Sequence, residues 1–395
     1  TSHNSPSIRF PEFTGEWKEC VLGDYGKVVT GNTPPTKDIE NYENGTYLWA
    51  SPADLGTHKL ISETKTKLSS KGFTKTRPLS KGSVLVTCIG STIGKTGMAT
   101  REMSTNQQIN SIVVNENNDN EFVYYVVQSA FPHYLSSIAV QAVPIISKSS
   151  FELLPSKRPS LQEQNKIGKF LSLLDERIST QHRLIEDLKK FKCAIVENVL
   201  NNRHSRMIRL GDIGSYIRGL TYSSNDVVEQ NGTFIMRSNN IVNGCSLDYY
   251  NDVVSVNKRI SKEQMLQNGD IIICMANGCS ALVGKSSFYD GKCPRSITVG
   301  AFCGIYRSEE PIVKWLFQTN RYRRYIWNSL QGGNGAIANL NGEDILRLSF
   351  PIPDAPVKNN CVKLLTSVDF MIENATSLCV LYTSQKEYLL RQMFI

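Results

Sequence analysis

The sequence predicts an α+β protein in which two similar globular α/β domains alternate with two long helices that pair as an antiparallel coiled coil. Three observations predict this fold. A heptad seam runs along residues 159–203, the same seam returns 194 residues later, and the segments before the two seams share turns and strands in the same order. Together they describe an internal repeat with approximate two-fold symmetry.

The first long helix is predicted from apolar residues spaced by alternating steps of four and three. Eight of its ten seam positions are apolar: Ile167, Leu171, Leu174, Ile178, Gln181, Ile185, Leu188, Lys192, Ile195 and Val199. Pro159 ends the preceding segment, and Ser160 with Glu163 predicts a capping box at the start of the helix. The alternative is that each helix packs only on its own domain.

The second long helix repeats this seam at the C-terminus. Its positions are Cys361, Leu365, Val368, Ile372, Ala375, Cys379, Tyr382, Lys386, Leu389 and Met393. The clearly polar position, Lys386, corresponds to Lys192 of the first helix. Two helices with the same seam, separated by a globular segment, can pair with each other.

The globular segments repeat as well. Leu22-Gly23-Asp24 matches Leu210-Gly211-Asp212, Gly31 matches Gly219, and Gly94-Lys95 matches Gly284-Lys285 after a β-branched run. The predicted boundaries are a polar lead-in at 1–16, globular domains at 17–158 and 204–353, a central helix at 159–203 and a C-terminal helix at 354–395.

Composition is that of an ordinary globular protein of 395 residues, long enough for two or three domains. We expect no membrane span and no signal peptide, hence a cytoplasmic protein. The ten cysteines form no C-x-x-C pair, which favours reduced thiols. The net charge is +8, with basic clusters at 59–81 and 321–324 that suit phosphate contact or are simply solvated.

Motifs for catalysis or metal binding are weak. The stretch 90–96, GSTIGKT, has three residues between its glycines where a phosphate-binding loop needs four, and the second copy has five. The five histidines lack metal-ligand spacing, and no catalytic set of residues stands out. We therefore predict no catalytic and no metal site.

Polar and basic side chains in the loops are the candidates for DNA contact, because amides pair with adenine, Arg or Lys with guanine, and hydroxyls with either. The predicted DNA-binding residues are Lys71, Lys75, Ser91, Thr92, Lys95, Thr96, Asn106, Gln107, Gln141, Lys148, Arg237, Asn239, Asn277, Lys285, Ser286, Arg295 and Asn334.

The chain resembles the specificity subunits of type I restriction–modification systems. The resemblance lies in the alternation of domains and helices, in W-K-x-x-x-L-G-D at residues 17–24, and in the Gly-Lys loops. It continues in Pro159 followed by L-x-E-Q-x-x-I at 161–167, and in Leu-Lys-Lys at 188–190. The second helix departs from this pattern, because it carries Val357-Lys358-Asn359-Asn360 in place of the Glu-Gln pair.

The resemblance implies a subunit without catalytic activity. Each domain would be a target recognition domain for one half of a bipartite, asymmetric double-stranded DNA site, and the paired helices would set the gap between the halves. Two methyltransferase subunits would bring S-adenosylmethionine and flip the target adenine. Two restriction/translocase subunits would use ATP and magnesium. This chain itself would bind no cofactor.

Two alternatives stay open at this point. In one, the chain is a coiled-coil scaffold that holds protein partners and does not bind DNA. In the other, the Gly-Lys loops hold a nucleotide for an enzyme. Apolar residues outside the seam, such as Phe170, Leu173, Leu184 and Phe191, either face the methyltransferases or only widen the seam.

Overall fold

The computed structural model describes residues 5–137, 145–200, 205–330 and 338–395. The chain forms two compact units. Unit 1 comprises Thr1–His182 with Ser377–Ile395, and unit 2 comprises Arg183–Thr376. Each long helix therefore contributes one part to each unit.

Unit 1 is built on two sheets and a β-ribbon. Its strands are β1 (Lys18–Val21), β2 (Gly26–Thr30), β3 (Tyr47–Ala50), β4 (Leu60–Ile61), β5 (Thr66–Leu68), β6 (Val84–Thr87), β7 (Thr96–Ala99), β8 (Ser104–Thr105), β9 (Ile109–Val114) and β10 (Pro155–Arg158). Its helices are α1 (Ser70–Thr74), α2 (Asn120–Ser137), α3 (Lys148–Glu152) and the first part of α4 (Leu161–Leu200). The sheets run β2-β9-β6-β7-β4 and β5-β3-β8, and β1 pairs with β10.

Unit 2 repeats this plan. Its strands are β11 (Arg206–Arg209), β12 (Ser215–Arg218), β13 (Thr233–Met236), β14 (Val254–Val256), β15 (Ile271–Cys274), β16 (Ala276–Asn277), β17 (Ser286–Phe288), β18 (Ile297–Val299), β19 (Cys303–Arg307), β20 (Ala338–Asn339) and β21 (Ser349–Ile352). Its helices are α5 (Leu210–Ile213), α6 (Val313–Leu316), α7 (Asn320–Leu330), α8 (Gly342–Leu346), the second part of α4 and the first part of α9 (Ala355–Met393), whose last part belongs to unit 1. The sheets run β12-β19-β15-β17 and β14-β13-β18, β11 pairs with β21, and β16 pairs with β20.

The two units differ most clearly in the helix that follows the main sheet. Helix α2 is continuous over 120–137, whereas its counterpart is divided into α6 and α7. The hydroxyl of Thr319 accepts a hydrogen bond from the Tyr322 N–H at 3.0 Å, as an N-cap does, and the chain restarts as α7 at Asn320.

The start of α4 corrects the predicted capping box. Ser160 Oγ does accept a hydrogen bond from the Glu163 N–H, at 3.4 Å. The Glu163 carboxylate, however, is buried and accepts from Arg9 Nε at 2.7 Å and from Trp17 Nε1 at 3.3 Å. The ion pair with the half-buried Arg9 and the hydrogen bond from the buried Trp17 outweigh a cap. The predicted lead-in is therefore docked on α4, where Phe10 also packs edge-on against Phe170.

The start of α9 explains how the second copy manages without the Glu-Gln pair. In unit 1 Gln164 donates to Asn118 Oδ1 at 3.3 Å and accepts from the Asp119 N–H at 3.1 Å. Lys358, which holds the position of Gln164, instead forms an ion pair with Glu310 at 2.7 Å. A charge pair thus replaces an amide contact between the long helix and the end of the sheet.

All ten seam positions on each long helix are buried or half-buried within their units. Buried ones include Ile167, Leu171, Leu174, Ile185, Leu365, Val368, Ile372 and Leu389. Ile178, Leu188, Ile195 and Tyr382 are half-buried.

A half-buried aspartate anchors α4 in unit 1. Asp175 accepts a hydrogen bond from the Tyr125 hydroxyl of α2 and forms an ion pair with Lys386 at 2.7 Å. Lys59 lies 3.8 Å from the same carboxylate. Burial raises the pKa of Tyr125, so the phenol stays protonated and can donate.

A similar arrangement recurs in unit 2, where the aspartate, the seam lysine and the aromatic donor hold corresponding positions and the second lysine comes from a different element. Asp369 of α9 accepts from Trp315 Nε1 at 3.1 Å and forms ion pairs with Lys192 at 3.0 Å and Lys314 at 2.8 Å. Asp175 and Asp369 are 194 residues apart, like Lys192 and Lys386. The repeat therefore preserves a polar cluster as well as an apolar seam.

Two global expectations can be compared with the structure. By length and composition, helix α9 could cross a membrane, contrary to the sequence prediction. One such helix is weak evidence of a membrane span, because the core helix of a globular protein passes the same test. The seam of α9 is buried in the two units, and Asp369 near its middle is ion-paired. All ten cysteines lie in described parts of the chain and are free thiols.

Candidate nucleic-acid interface

Four loops of unit 1 come together where strands of its sheets end. They are residues 31–35, 88–93, 106–108 and 145–147, hereafter the unit 1 loop cluster. Backbone hydrogen bonds tie them to one another: Asn32 N–H to Thr105 O at 2.9 Å, Cys88 N–H to Gln108 O at 2.7 Å, and Ile146 N–H to Cys88 O at 2.9 Å. Since the bonds are between backbone atoms, the loops keep their positions whatever side chains they carry.

Unit 2 has a corresponding set at residues 219–222, 275–283, 300–302 and 338–340, hereafter the unit 2 loop cluster. The linking bonds are Leu220 N–H to Val299 O at 2.7 Å, Met275 N–H to Phe302 O at 2.8 Å, and Leu340 N–H to Met275 O at 2.8 Å. Each bond has its counterpart in unit 1. The repeat thus duplicates a frame that presents loops of different sequence.

The Gly-Lys motif closes the hairpin loop in each cluster. Gly94 and Gly284 have φ of +90° and +80°, and a Cβ on Gly94 would lie 3.1 Å from Phe131, on Gly284 2.6 Å from Ile326. Only glycine fits such a turn beside a packed helix. The following residue, Lys95 or Lys285, begins the return towards β7 or β17. Because a strand and not a helix follows, the loop is unlike a phosphate-binding loop for nucleotides.

Several predicted residues lie in or beside the clusters. Ser91, Gln107 and Lys95 are exposed in unit 1, and Thr92 is half-buried. The Thr33 hydroxyl donates to Gln107 Oε1 at 2.5 Å, which orients the amide. In unit 2 Asn277 and Lys285 are half-buried, and Asn277 Nδ2 donates to Ser238 Oγ at 3.3 Å. Lys95 and Lys285 have no acidic partner within the described residues.

Three predicted contacts are corrected by burial. Thr96, Asn106 and Ser286 are buried. Asn106 Nδ2 donates to Gln108 Oε1 at 3.0 Å, and its Oδ1 accepts from the Gln108 N–H at 3.1 Å, so its amide shapes the loop from inside. Ser286 Oγ donates to Phe317 O at 3.4 Å. These side chains cannot reach a ligand at the surface, and we withdraw them as DNA contacts.

Other predicted residues are engaged with neighbours. Lys75 forms an ion pair with Asp38 at 2.9 Å, and Lys71 pairs with Glu40. The basic cluster at 59–81 therefore carries less unpaired positive charge than the sequence suggested, because Asp38 and Glu40 form ion pairs with two of its lysines. The remaining predicted residues are distributed as follows: Arg237 and Asn239 contact Asp252, Lys148 pairs with Glu152, Arg295 lies over the ring of Phe234, and Gln141 and Asn334 lie outside the described residues.

The structure also adds residues that the sequence did not single out. Arg77 donates to Thr30 O at 2.7 Å and Arg218 directly precedes the first loop of the unit 2 cluster, so each unit places an exposed arginine at the same strand end. Lys258 donates to Thr221 O at 2.8 Å in that loop. Phe302 has 68% of its side chain exposed. Only an alignment of loops through their flanking strands would have found these.

Within the part of the chain that the structure describes, no group of three or more His, Cys, Asp or Glu side chains could hold a metal ion. Burial raises the pKa of Cys88, at the base of the unit 1 hairpin loop, to about 12, and burial also raises the pKa of Cys274, the last residue of β15 before the unit 2 hairpin loop. Both thiols therefore stay protonated and inert at neutral pH. What remains is a surface of amides, hydroxyls and cations, which suits binding.

Comparison with protein families and curated proteins gives a consistent result. A family model described as the type I restriction modification DNA specificity domain matches residues 14–190. The MjaIX specificity subunit of Methanocaldococcus jannaschii is 28% identical over 189 residues, which are 46% of this chain and 43% of that protein. The EcoKI specificity subunit of Escherichia coli is 32% identical over 149 residues, 36% of this chain and 31% of that protein. These matches span less than half the length of either relative.

Longer matches extend over both units. The MjaVIII specificity subunit of M. jannaschii is 22% identical and aligns with 93% of this chain and 88% of its own length. A crystal structure of a type I restriction–modification system S subunit from M. genitalium superposes with a TM-score of 0.65, covering 99% of both chains at 15% identity. At that identity the structural likeness concerns the fold alone.

Proposed function

We propose that this chain belongs to the family of type I restriction–modification specificity subunits and recognises a DNA sequence without catalysing a reaction itself. The single observation that carries the proposal is the duplicated loop cluster. One backbone frame appears twice, and in both copies it presents polar loops flanked by a Gly-Lys turn and an exposed arginine. Such surfaces suit phosphate contacts that position the protein and amide contacts that select bases.

The two units would read different half-sites. Their frames correspond, but the hairpin loop is longer in unit 2, at 275–283 against 88–93, and the loop Asn106-Gln107-Gln108 corresponds to Gly300-Ala301-Phe302. A homodimer would present identical loops and read a palindrome. Two unlike copies in one chain suit an asymmetric, bipartite site.

The long helices would pair antiparallel and set the gap between the half-sites. Two ion pairs support the antiparallel order: Asp175–Lys386 in unit 1 and Lys192–Asp369 in unit 2. The residue number increases from 175 to 192 along α4 while that of the partner on α9 decreases from 386 to 369. A helical pair has a fixed rise of about 1.5 Å per residue and suits a ruler.

The partners in this proposal are two methyltransferase and two restriction/translocase subunits in the cytoplasm. Those subunits, and not this chain, would use S-adenosylmethionine, ATP and magnesium. Leu173, Leu184 and Phe191 on α4 are about half exposed, outside the seam, and would face the methyltransferases. The alternative, a scaffold for proteins that does not bind DNA, leaves the duplicated polar loops without a role.

The test is to co-express the chain with its methyltransferase partner and map methylated adenines across the host DNA. We expect one bipartite motif with unlike halves. A stable complex that binds S-adenosylmethionine but yields no motif would contradict the proposal and favour the scaffold. DNA binding should also weaken steeply as salt rises, because phosphate contacts release counterions.

A further inference from the structure

The loops 106–108 and 300–302 correspond residue by residue. Before the loop, the carbonyl of Thr105 or Val299 accepts an N–H from the first loop of the cluster. After it, the carbonyl of Ile109 or Cys303 accepts from Gly31 or Gly219. Three residues lie between the two flanking carbonyl acceptors in both units, so Phe302 occupies the position that corresponds to Gln108.

The backbone of this position is fixed in the same way in both units. Gln108 O accepts from the Cys88 N–H at 2.7 Å, and Phe302 O accepts from the Met275 N–H at 2.8 Å and the Ala276 N–H at 3.1 Å. The aromatic ring is therefore carried by a rigid loop. It is 68% exposed, although burial of a phenyl ring is favourable by about 1.5–3 kcal/mol.

The surroundings indicate what covers this ring. Arg218 is exposed and pairs along the ladder with Gly304, two residues beyond Phe302. Lys258 reaches the adjacent loop at Thr221 and also forms an ion pair with Asp226 at 3.6 Å, which leaves Arg218 as the main source of positive charge. An apolar side chain bordered by cations suits a polyanion that carries apolar groups on its edge. In the major groove of DNA the C5-methyl group of thymine is such a group.

We infer that Phe302 is a specificity-determining residue that contacts a thymine methyl group in the half-site of unit 2. Unit 1 presents amides at the same loop, Gln107 and Gln108, which suit hydrogen bonds to a base edge. Unit 2 presents an aromatic ring, which suits an apolar contact. The inference rests on the proposed function and adds the chemistry by which the two half-sites differ.

The test uses the full chain in complex with its methyltransferase partner. The bound sequence is first selected from a random DNA pool, and each thymine of the unit 2 half is then replaced by deoxyuridine, which lacks only the methyl group. We expect affinity to fall about four-fold at one position, the effect of one buried methyl group. Phe302→Ala should abolish this sensitivity, while Phe302→Leu should retain part of it.

Two internal controls separate the possible failures. The unit 1 half of the selected sequence should be unchanged in Phe302→Ala, which shows that the variant is folded. Met207→Ala, at an exposed apolar residue of β11 outside the loop cluster, should leave both halves unchanged. Selection of no sequence by the wild type would refute the proposed function. Selection of a sequence whose thymines all tolerate deoxyuridine, or whose preference survives Phe302→Ala, would overturn this inference alone.

Discussion

Cys279 offers a direct report on whether DNA covers the loop cluster of unit 2. It is exposed in the loop 275–283, where its N–H is held by Asn277 Oδ1 at 2.9 Å. We predict that DNA carrying the target sequence slows its alkylation by about ten-fold or more, because a contacted loop is closed to the reagent. Mass spectrometry of the alkylated peptides measures this rate for each cysteine separately.

Two other cysteines serve as controls for that experiment. Cys193 is exposed on α4, away from either loop cluster, and should react equally with and without DNA. Cys88 should resist alkylation in both cases, since it is buried and burial raises its pKa to about 12. If DNA slowed the alkylation of Cys193 but not that of Cys279, the DNA would lie on the helices. That result would contradict the interface proposed for unit 2.

Gln107 and Lys95 separate base recognition from phosphate contact in unit 1. Gln107→Ala should cost about 1–3 kcal/mol of discrimination at one base pair, because a bidentate amide contact is lost. Lys95→Ala should instead weaken binding to all sequences equally and reduce the salt slope by about one, as expected for one phosphate contact. Fluorescence anisotropy with matched and single-mismatch duplexes at several salt concentrations distinguishes the two. An equal loss on every duplex for Gln107→Ala would assign it to the backbone.

At this scale the sequence is a poor guide, because composition identifies polar loops but does not show which side chains face outwards. Asn106 and Gln107 are neighbours in an amide-rich run, yet the first is buried under the loop and the second is exposed. Phe302 was missed for the opposite reason, since an aromatic residue near a strand is usually part of a core.

The ion-paired aspartates Asp175 and Asp369 hold the long helices in their units. Asp369 is 10% exposed and receives Lys192, Lys314 and the indole of Trp315. We predict that Asp369→Asn destabilises the protein by about 2–4 kcal/mol, because two half-buried ammonium groups lose their partner. Urea unfolding followed by circular dichroism measures the loss.

Asp187→Asn is the matched control on α4. Asp187 is 74% exposed in its pair with Lys190, so its replacement should leave the unfolding midpoint nearly unchanged. Asp175→Asn should lower the free energy of unfolding by as much as Asp369→Asn if the corresponding ion pairs of the two units contribute equally to stability. An unchanged midpoint in both aspartate variants would mean that the apolar seam alone holds the helices.

The elements themselves were largely predictable. The 3.5-residue spacing predicted the ends of both long helices to within a few residues. The observed helices are α4 at Leu161–Leu200 and α9 at Ala355–Met393. The aspartates were not predicted, because they lie off the seam, whereas Lys192 and Lys386 lie on it. The division of α6 from α7 depends on one hydroxyl, that of Thr319, which no periodicity reveals.

At the scale of the whole molecule, the duplicated units and the proposed pairing of the long helices predict that the gap between the two half-sites is an adjustable property of the chain. The boundary between the units falls after His182 in α4 and after Thr376 in α9. Seven residues inserted at both places keep the heptad phase on both helices. An insertion into one helix alone shifts one seam against the other and should destabilise the protein, which provides a control.

We predict that the double insertion lengthens the gap of the recognised DNA site and leaves both half-sites unchanged. Seven helical residues add about 10 Å, which is about three base pairs at ~3.4 Å each. Methylation mapping or selection from a random pool gives the gap directly. An unchanged gap in a stable variant would show that the helices do not measure it, and altered half-sites would show that the insertion had disturbed the recognition loops. A gap longer by about three base pairs with intact halves is the outcome expected when two independent reading surfaces are joined by a helical ruler.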